Sequence, residues 1–389
     1  LSEFPEEGGA DQYSFEIQLN ATYDNMDFVS GLYFFNEDGF TRSGPFVFSP
    51  FNTPNGLLND GVTPSFGGYG DFEINQETNS YAVYFNTSYD LTDDLSIGGG
   101  LRYSKDEKDA DAIFPTFAER KYVSAEFDAV TWDVNASYQI SNNMNVYGQI
   151  QKGYQTGGFP PRPFGGPDQF VSFDETKAIN YEMGLKGQVH ENVSMMLAVF
   201  VTDYTDLALP FSDPTAGGGF VTIVENAGES KAQGIELETT VAITDDFTIR
   251  SSVGYLDSEI TEVDAGVQGI GKGDSPALTP RWTVMIAPSY FMDLDSGATV
   301  AFNANYSFRS EMQGQSVYNE SETIDSRELV GFNISYTNPY GDMEVTLYGE
   351  NVLNEVYDVG RLQQSGFVGV MRSNDRSEFG LKFKKDFEL

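Results

Sequence analysis

The chain has 389 residues, of which 22 are Lys or Arg and 59 are Asp or Glu, so its formal net charge is −37. This acidic balance argues against a nucleic-acid-binding protein, because phosphate contacts require a basic surface. The absence of cysteine excludes disulfide scaffolds, thiol catalysis and cysteine-ligated zinc. Hydrophobic residues still make up 40% of the chain and aromatic residues 14%, which indicates a folded protein.

The hydropathy pattern excludes a helical membrane protein. A membrane helix needs roughly 18–20 apolar residues, and the longest apolar run, residues 195–201, is far shorter. A membrane β-barrel is compatible with this pattern, because its strands alternate between apolar and polar residues. The sequence begins Leu1-Ser2-Glu3-Phe4, without an initiator Met or a signal peptide, so we expect a processed chain or a piece of a longer one.

One pattern repeats along the whole chain. An alternating run of about ten residues precedes a short turn rich in Asp and Asn, and a second run precedes a long loop rich in Gly and Pro. The short turns are predicted at 23–25, 91–94, 141–143, 190–192, 244–246, 293–297 and 338–342. The long loops are predicted at 38–78, 105–124, 156–176, 206–228, 258–278, 310–326 and 356–374. This strict alternation is typical of a membrane barrel, whose turns are short on the periplasmic side and long outside.

The runs number about fifteen, and residues 220–224 are the weakest point of that count because they could add one short strand. Each run carries one apolar and one polar stripe. From Trp132 onward, for example, Trp132 and Val134 alternate with Asp133 and Asn135. Alternation alone does not distinguish a barrel, whose polar stripe faces a lumen, from a soluble β-sandwich.

Tyrosine supplies a second signal. Five tyrosines lie within a few residues of a short turn and on the apolar stripe of their strands: Tyr23, Tyr89, Tyr138, Tyr290 and Tyr336. This is the position of an aromatic girdle at a membrane–water interface. The alternative is that they are ordinary strand residues at one edge of a sandwich. The fold class that the pattern favours is an all-β, transmembrane antiparallel β-barrel.

Four stretches resemble motifs of the TonB-dependent outer-membrane receptors. They are KGYQTGGF at 152–159; INYEMGLK at 179–186, followed by AVFVTDYTDL at 198–207; ENAG and QGIELE at 225–228 and 233–238; and GENVLNEVY at 349–357. Each motif is weak by itself, but together they occur in the order of the family and extend over essentially the whole chain. Within them, Gly184 and Gly234 fall on the polar stripe, where a missing side chain leaves space for a plug or permits curvature. Asn351 and Asn354 bracket a strand end, where Asn can hold the departing backbone.

The resemblance implies a barrel of 22 strands around a plug. The fifteen runs would then be about the last fifteen strands, so residues 1–389 would form one barrel domain whose plug and first strands are missing. It implies a receptor in the outer membrane of a Gram-negative bacterium that captures a scarce ligand in its extracellular loops. The ligand would be imported with energy transmitted by TonB. A ferric siderophore or other iron complex is the first expectation, and cobalamin, haem and oligosaccharides remain open.

The implied partners are outer-membrane lipid and lipopolysaccharide, the TonB complex acting through the missing N-terminal plug, and the small-molecule ligand; nucleic acid is not among them. Lys152, on the lipid stripe near the outer rim, is a candidate contact for lipopolysaccharide phosphate. Two other classes stay open: a passive porin or structural barrel, and a secreted soluble β-sandwich binding module.

Ligand contacts are expected in the loops, because function concentrates on loops held by a rigid scaffold. In and beside loop 156–176 the candidates are Tyr154, Phe159, Arg162, Phe164 and Phe170. Loop 38–78 adds Phe40, Phe46, Phe48, Phe51 and Phe66. Such rings could stack on a planar ligand, or they could pack loop on loop. No catalytic residue, metal ligand or cofactor is predicted, and the single histidine, His190, is expected to be a solvated turn residue.

Overall fold

The computed structural model describes most of the chain, and one antiparallel sheet of fifteen strands dominates it. Each strand of this sheet pairs with the one that follows it along the chain. The predicted number of strands is therefore confirmed. The described residues are 2–3, 6–43, 47–48, 72–114, 118–161, 163, 166–212, 222–265, 267, 269–315, 320–364, 367–373 and 375–387.

We number the strands of this sheet β1 to β15. The first eight are β1 (Glu6–Tyr23), β2 (Met26–Ser43), β3 (Phe72–Asp90), β4 (Leu95–Ile113), β5 (Lys121–Ser141), β6 (Met144–Gln155), β7 (Thr176–His190) and β8 (Val193–Thr205). The other seven are β9 (Gly228–Ala242), β10 (Phe247–Val263), β11 (Trp282–Asp293), β12 (Thr299–Arg309), β13 (Arg327–Thr337), β14 (Met343–Glu350) and β15 (Glu378–Lys385).

All seven predicted short turns lie at one end of the sheet, between an odd-numbered strand and the next. The shortest three contain only two residues each, 24–25, 142–143 and 191–192. Asp and Asn suit such turns because their side chains bond to nearby backbone. In the turn that precedes β14, the side chain of Asn338 donates to Asp342 and accepts the backbone N–H of Met343. Lys385 at the end of β15 forms an ion pair with Asp342.

Three of the predicted long loops are shorter than expected. The strands continue well into 38–78, 105–124 and 258–278, because β2 and β4 extend to Ser43 and Ile113, and β10 extends to Val263. The backbone ladder continues where both stripes have become polar; Asn79, for example, pairs with Glu107. The prediction ended the strands too early because it followed the apolar stripe, which stops before the hydrogen-bonded ladder does.

The long loops carry small paired strands of their own. Ala208–Ser212 pairs with Thr222–Asn226, so the extra strand considered at 220–224 exists but belongs to a loop hairpin and not to the large sheet. Two other loop pairs are Met312–Gln313 with Thr323–Ile324 and Asp358–Gln364 with Phe367–Arg372. Val47–Phe48 pairs with Ser2–Glu3, which precedes β1. Two single turns of 3₁₀ helix, Pro167–Gln169 and Glu320–Glu322, complete the elements of the described loops.

The two faces of the sheet differ in chemistry, as the alternation predicts. On β5, Val134 pairs with Gly99 and Ile150, whereas Asp133 pairs with Gly100 and Gln151. Large apolar side chains on the first face are exposed, and Leu381 keeps 69% of its surface accessible. A continuous exposed apolar surface of this kind suits contact with lipid. We call it the apolar face and its opposite the polar face.

No helix in the described part of the chain is long and apolar enough to cross a membrane.

Four glycines of the polar face lie directly opposite an aromatic residue on a neighbouring strand. The pairs are Gly31 with Tyr84, Gly184 with Tyr147, Gly234 with Phe200, and Gly380 with Tyr348. A Cβ atom on Gly184 would come within 2.6 Å of the Tyr147 ring, and one on Gly234 within 2.7 Å of the Phe200 ring. The space above Gly184 and Gly234 is therefore filled by a ring of the barrel wall itself.

Three of these rings also make a polar contact at their far end. Each tyrosine hydroxyl donates to a glutamate on an adjacent part of the polar face: Tyr84 to Glu16 at 2.6 Å, Tyr147 to Glu182 at 2.8 Å, and Tyr348 to Glu378 at 2.6 Å. We call these three arrangements the tyrosine braces. Each brace ties two or three strands together through a side chain, in addition to the backbone ladder.

Candidate functional site

The five girdle tyrosines lie on the apolar face, close to the short-turn end of the sheet. Their side chains are exposed, with accessible fractions of 61% for Tyr23 and 37% for Tyr336 at the two extremes. Tyr23 and Tyr89 flank Met26 from its two sides, so the tyrosines of adjacent strands lie at a common height. Their role at a membrane interface stays a prediction.

The loop between β6 and β7 folds back onto the polar face of β4 and β5. The ammonium group of Lys108 donates to the carbonyl oxygen of Gly157 at 2.7 Å and lies 5.7 Å from the ring centre of Phe127. A Cβ atom on Gly157 would come within 2.3 Å of that ring and 2.2 Å of the Phe173 carbonyl oxygen. Only glycine allows this close approach, so Gly157 fixes the path of the loop.

Two of the predicted ligand-contact residues are buried in a hydrophobic cluster. Phe159 and Phe170 keep only 9% and 0% of their surface exposed, and they lie in a cluster with Phe72, Phe114 and Ala112. A ring buried to this degree has no free face for a ligand in this structure. Their burial favours the alternative of packing under the loop, because burying apolar rings is favourable. Ligand contact by these two residues stays a prediction.

The other aromatic candidates contribute less. Arg162 and Phe164 lie outside the described residues, as do Phe46, Phe51 and Phe66, and only the main chain of Phe48 is described. Phe40 belongs to β2 and not to a loop, and the guanidinium group of Arg42 lies 4.8 Å from its ring centre.

Tyr154 is the predicted candidate that reaches the polar face. Its hydroxyl donates to one carboxylate oxygen of Asp106 at 3.0 Å, and the hydroxyl of Ser80 donates to the other at 2.5 Å. Asp106 keeps only 7% of its surface exposed. A buried carboxylate requires such donors, because it has lost its hydration.

Arg102 lines the same cavity as this carboxylate and lies near two aromatic rings. Its guanidinium carbon lies 5.4 Å from the ring centre of Tyr33 and 5.7 Å from that of Tyr84, and its Nε donates to Ser104 at 3.0 Å. Such stacking holds the cation in place while its remaining N–H groups stay available. A cavity of about 200 Å³ is lined by Tyr33, Arg102, Asp106 and Tyr154, among others. We call these four residues together with Tyr84 the lumen site.

The lumen site presents hydrogen-bond donors and an acceptor on the polar face. Sequence reasoning singled out Tyr154 but missed Tyr33, Tyr84, Arg102 and Asp106. The alternation placed all four on the polar stripe, yet it gave no register, and the residues come from three strands far apart in the sequence. Only the cross-strand pairing brings them together.

A second polar cluster shapes the loop hairpin 358–372. Asp358 is buried and forms ion pairs with Arg361 at 2.7 Å and Arg372 at 2.9 Å. Burial raises the pKa of Asp358, but the hydrogen bonds from the two arginines outweigh it and hold this pKa below its usual value. The carboxylate is therefore ionised at neutral pH and ties the two strands of the hairpin together.

The asparagines at the end of β14 hold the adjoining loop, in the manner predicted for them. Both Asn351 and Asn354 have positive φ, of 42° and 51°, which Asn tolerates better than most residues. The side-chain amide of Asn351 donates to the carbonyl oxygens of Glu355 and Asp375, each at 2.8 Å.

His190 ends β7 at the short-turn end of the sheet, is exposed, and accepts the backbone N–H of Asn192 at 3.5 Å. Across the described residues, no cluster of three or more Asp, Glu or His side chains is placed to hold a metal ion.

The family of the chain follows from a comparison with protein-family models. Residues 4–354 match the model described as TonB dependent receptor-like, beta-barrel. The match covers most of the chain, and the chain belongs to this family of outer-membrane receptor barrels of Gram-negative bacteria. It is a family of transport receptors and not of enzymes.

Among curated proteins, the chain is similar to the pesticin receptor of Yersinia enterocolitica, with 28% identity over 232 residues that cover 54% of this chain and 33% of that protein. It is also similar to the probable TonB-dependent siderophore receptor PiuA of Acinetobacter baumannii, with 26% identity over 201 residues, 49% of this chain and 25% of that protein. The matched region thus spans a third or less of these relatives.

Among solved structures, the ferric yersiniabactin uptake receptor FyuA from Yersinia pestis matches with a TM-score of 0.80 and 18% identity, over 100% of this chain and 55% of that one. The siderophore receptor PiuA from Acinetobacter baumannii matches with a TM-score of 0.72 and 18% identity, over 97% of this chain and 56% of that one. At this level of identity the likeness establishes the fold: the fifteen strands form the wall of a receptor barrel.

Proposed function

We propose that this chain is the wall of an active outer-membrane receptor that imports a ferric siderophore or a related iron complex. The observation that carries the proposal is the membership of the chain in the TonB-dependent receptor family together with a polar face that builds the lumen site. Relatives with siderophore-receptor names make iron the first cargo to test. The chain performs no catalytic step in this proposal.

The geometry supports a path from loops to lumen. The long loops lie at one end of the sheet, where a ligand arriving from outside would be captured. The polar face below them carries Arg102, Asp106 and Tyr154, whose hydrogen-bonding groups can exchange for those of water around a passing polar ligand. If the hydrogen bonds to the protein are about as favourable as those to water, the ligand can pass, because a site that binds too tightly would hold it.

We further propose that the fifteen strands belong to a barrel of about 22 strands that encloses a plug, as in other plugged transporters of the outer membrane. β1 and β15 are the two outermost strands of the described sheet, and each leaves one edge available for a further strand. Energy would reach the ligand from the TonB complex through that plug.

The decisive experiment measures iron uptake in cells of the parent organism. ⁵⁵Fe is added to spent medium from an iron-starved culture, so that the siderophores of the organism carry the label. Deletion of the gene should abolish a saturable component of uptake, and deletion of tonB or dissipation of the proton gradient should abolish the same component. Uptake that survives loss of TonB and rises linearly with concentration would instead identify a passive porin. Recovery of the protein in the soluble periplasm would exclude both the active receptor and the passive porin.

The lumen site has its own test in the same assay. Arg102→Gln should lower the rate of uptake, because it removes a stacked cation from the path of the ligand. Lys384→Gln is the matched control, since Lys384 is a cation on the polar face of β15 near the short-turn end, away from the lumen site. Equal uptake by both variants would remove Arg102 from the path.

Lipopolysaccharide remains a proposed partner through Lys152. This residue pairs with Trp132 and Ile179 on the apolar face of β6, toward the long-loop end. Lys152→Ala should reduce the gain in thermal stability that lipopolysaccharide provides over detergent alone. An unchanged gain would exclude this contact.

A further inference from the structure

Two arginines lie side by side at the long-loop end of the polar face. Arg309 is the last residue of β12 and Arg327 the first of β13, and they are direct cross-strand partners. Like charges directly opposite each other on a sheet repel and destabilise the pair. In a chain with 59 acidic residues and 22 basic ones, a carboxylate between them would be the expected compensation.

Two carboxylates next to the pair contact other groups. Asp325 offers Arg309 only its main-chain oxygen, at 3.1 Å, because its carboxylate lies 3.3 Å from Arg361. Arg327 lies over the ring of Tyr357, 4.9 Å from its centre, and Tyr357 is itself held by Asp375 at 3.2 Å. Within the described residues, no Asp or Glu forms an ion pair with either arginine of the pair.

One donor of the pair is buried and unsatisfied. The Nε atom of Arg309 has no hydrogen-bond acceptor among the residues described. A buried N–H without an acceptor is costly, and native proteins keep few of them. Among the described residues, the two guanidinium charges thus have no ion-pair partner and the Nε donor of Arg309 has no acceptor, and a single bound anion would compensate all three.

The surroundings also suit an anion. A cavity of about 240 Å³ opens beside the pair, and its polar-face lining adds Ser252, Thr283 and Ser307, which carry hydroxyl groups, and Met285. Thr283 is the cross-strand partner of Arg309 on its other side. Guanidinium and hydroxyl groups are the donors that proteins use for carboxylate, and the planar fork of arginine matches both carboxylate oxygens. The volume is below that of a whole ligand pocket, so it fits one arm of a larger molecule.

We propose that Arg309 and Arg327 bind a carboxylate group of the transported ligand at the outer end of the lumen. This inference rests on the proposed function and narrows it, because it selects carboxylate-bearing chelates over neutral ones.

The test uses the intact outer-membrane protein in detergent micelles, with citrate as a carboxylate probe and sodium chloride at equal ionic strength as its control. Phenylglyoxal modifies free guanidinium groups, and peptide mass mapping gives the rate at each arginine. Citrate at about ten times its Kd should slow the modification of Arg309 and Arg327 about tenfold relative to chloride. Arg281, which pairs with Asp257 at 3.4 Å, should be modified at the same rate in both salts. Equal rates at Arg309 in the two salts would overturn the proposal.

A variant separates binding from folding. Arg327→Gln relieves the repulsion, so the folded state should be as stable as the wild type or more so, while citrate should no longer protect Arg309. Arg250→Gln, which removes an arginine of the same face two strands away, should keep the protection. Protection of Arg309 that survives Arg327→Gln would contradict a shared site. Because the readout requires neither iron nor uptake, a receptor that imports no iron could still pass it, and failure here leaves the uptake assay unaffected.

Discussion

The tyrosine braces predict that one methyl group can weaken the barrel wall. In Gly184→Ala, the new Cβ atom would lie 2.6 Å from the Tyr147 ring and 2.6 Å from the main-chain oxygen of Leu197. The backbone oxygen is fixed by the β7–β8 ladder, so the ring of Tyr147 must move. Its hydroxyl then leaves Glu182, from which it lies at 2.8 Å in the brace.

The magnitude follows from the parts. Loss of a hydrogen bond to a charged group costs about 1.5–3 kcal/mol, and an off-rotamer ring adds about 0.5–1.5 kcal/mol. Replacing Gly by Ala returns about 0.4–1 kcal/mol, because the unfolded chain loses conformational freedom. The balance is a loss of about 1–4 kcal/mol of the free energy of unfolding, so Gly184→Ala should destabilise the protein.

The assay is guanidinium denaturation of the detergent-solubilised protein, followed by circular dichroism. Gly153→Ala is the matched control, because a Cβ atom on Gly153, in the same sheet, meets nothing within 4 Å. Its stability should be unchanged or slightly higher. Tyr147→Phe removes only the hydroxyl, so its free energy of unfolding should fall by the hydrogen-bond contribution alone. If Gly184→Ala and Gly153→Ala unfold at the same denaturant concentration, the brace contributes no stability and the reasoning is wrong.

Three more outcomes are expected. Phe170→Ala should leave a cavity beneath the β6–β7 loop, cost about 3–5 kcal/mol locally and speed proteolysis of that loop. The hydrogen bond from Lys385 lowers the pKa of Asp342, so this short-turn ion pair should stabilise the fold above the usual carboxyl value of 3.8 and stop doing so as the pH falls through the lowered pKa. Asp342→Asn should thus be less stable at neutral pH and equal to wild type in strong acid, as measured by thermal melts. Tyr138→Ser should reduce stability in lipid vesicles by about 1 kcal/mol, whereas Tyr340→Ser, in a turn, should not.

Each of these has a result that would count against it. Val171 is 50% exposed, and proteolysis of Val171→Ala at the rate of Phe170→Ala would show that ring burial does not hold the loop. A constant difference between Asp342→Asn and wild type at all pH values would exclude the ion pair as the cause. Equal effects of the two tyrosine variants would mean that position relative to the apolar face is irrelevant.

Much of the wall was predictable from the local sequence pattern, because period-two alternation and turn chemistry depend on residues that are neighbours in the chain. The strand number, the seven short turns and the face of Val134 or Asp133 follow from that alone. Register does not, since alternation repeats every two residues and leaves many alignments equal. The pairing of Arg309 with Arg327, the stacking of Arg102 on Tyr33 and the opposition of Gly184 and Tyr147 all depend on register.

The loops were the least predictable part for a different reason. Aromatic residues in a polar segment are compatible with ligand contact and with burial, and composition does not decide between them. Phe159 and Phe170 are buried because Gly157 lets the loop approach β5, and Lys108 then holds it there. The burial of these rings thus depends on Gly157, on β5 and on Lys108. The sequence of the loop alone does not show which strands it will contact.

The strict separation of short turns from long loops has a consequence for how such a receptor can change. Long ladders set the register of every strand, and the braces add side-chain ties, so the wall does not depend on loop length. Insertion or replacement of loop residues then costs mainly closure entropy, which grows slowly with length. The residues of the long loops can therefore change while the wall stays the same.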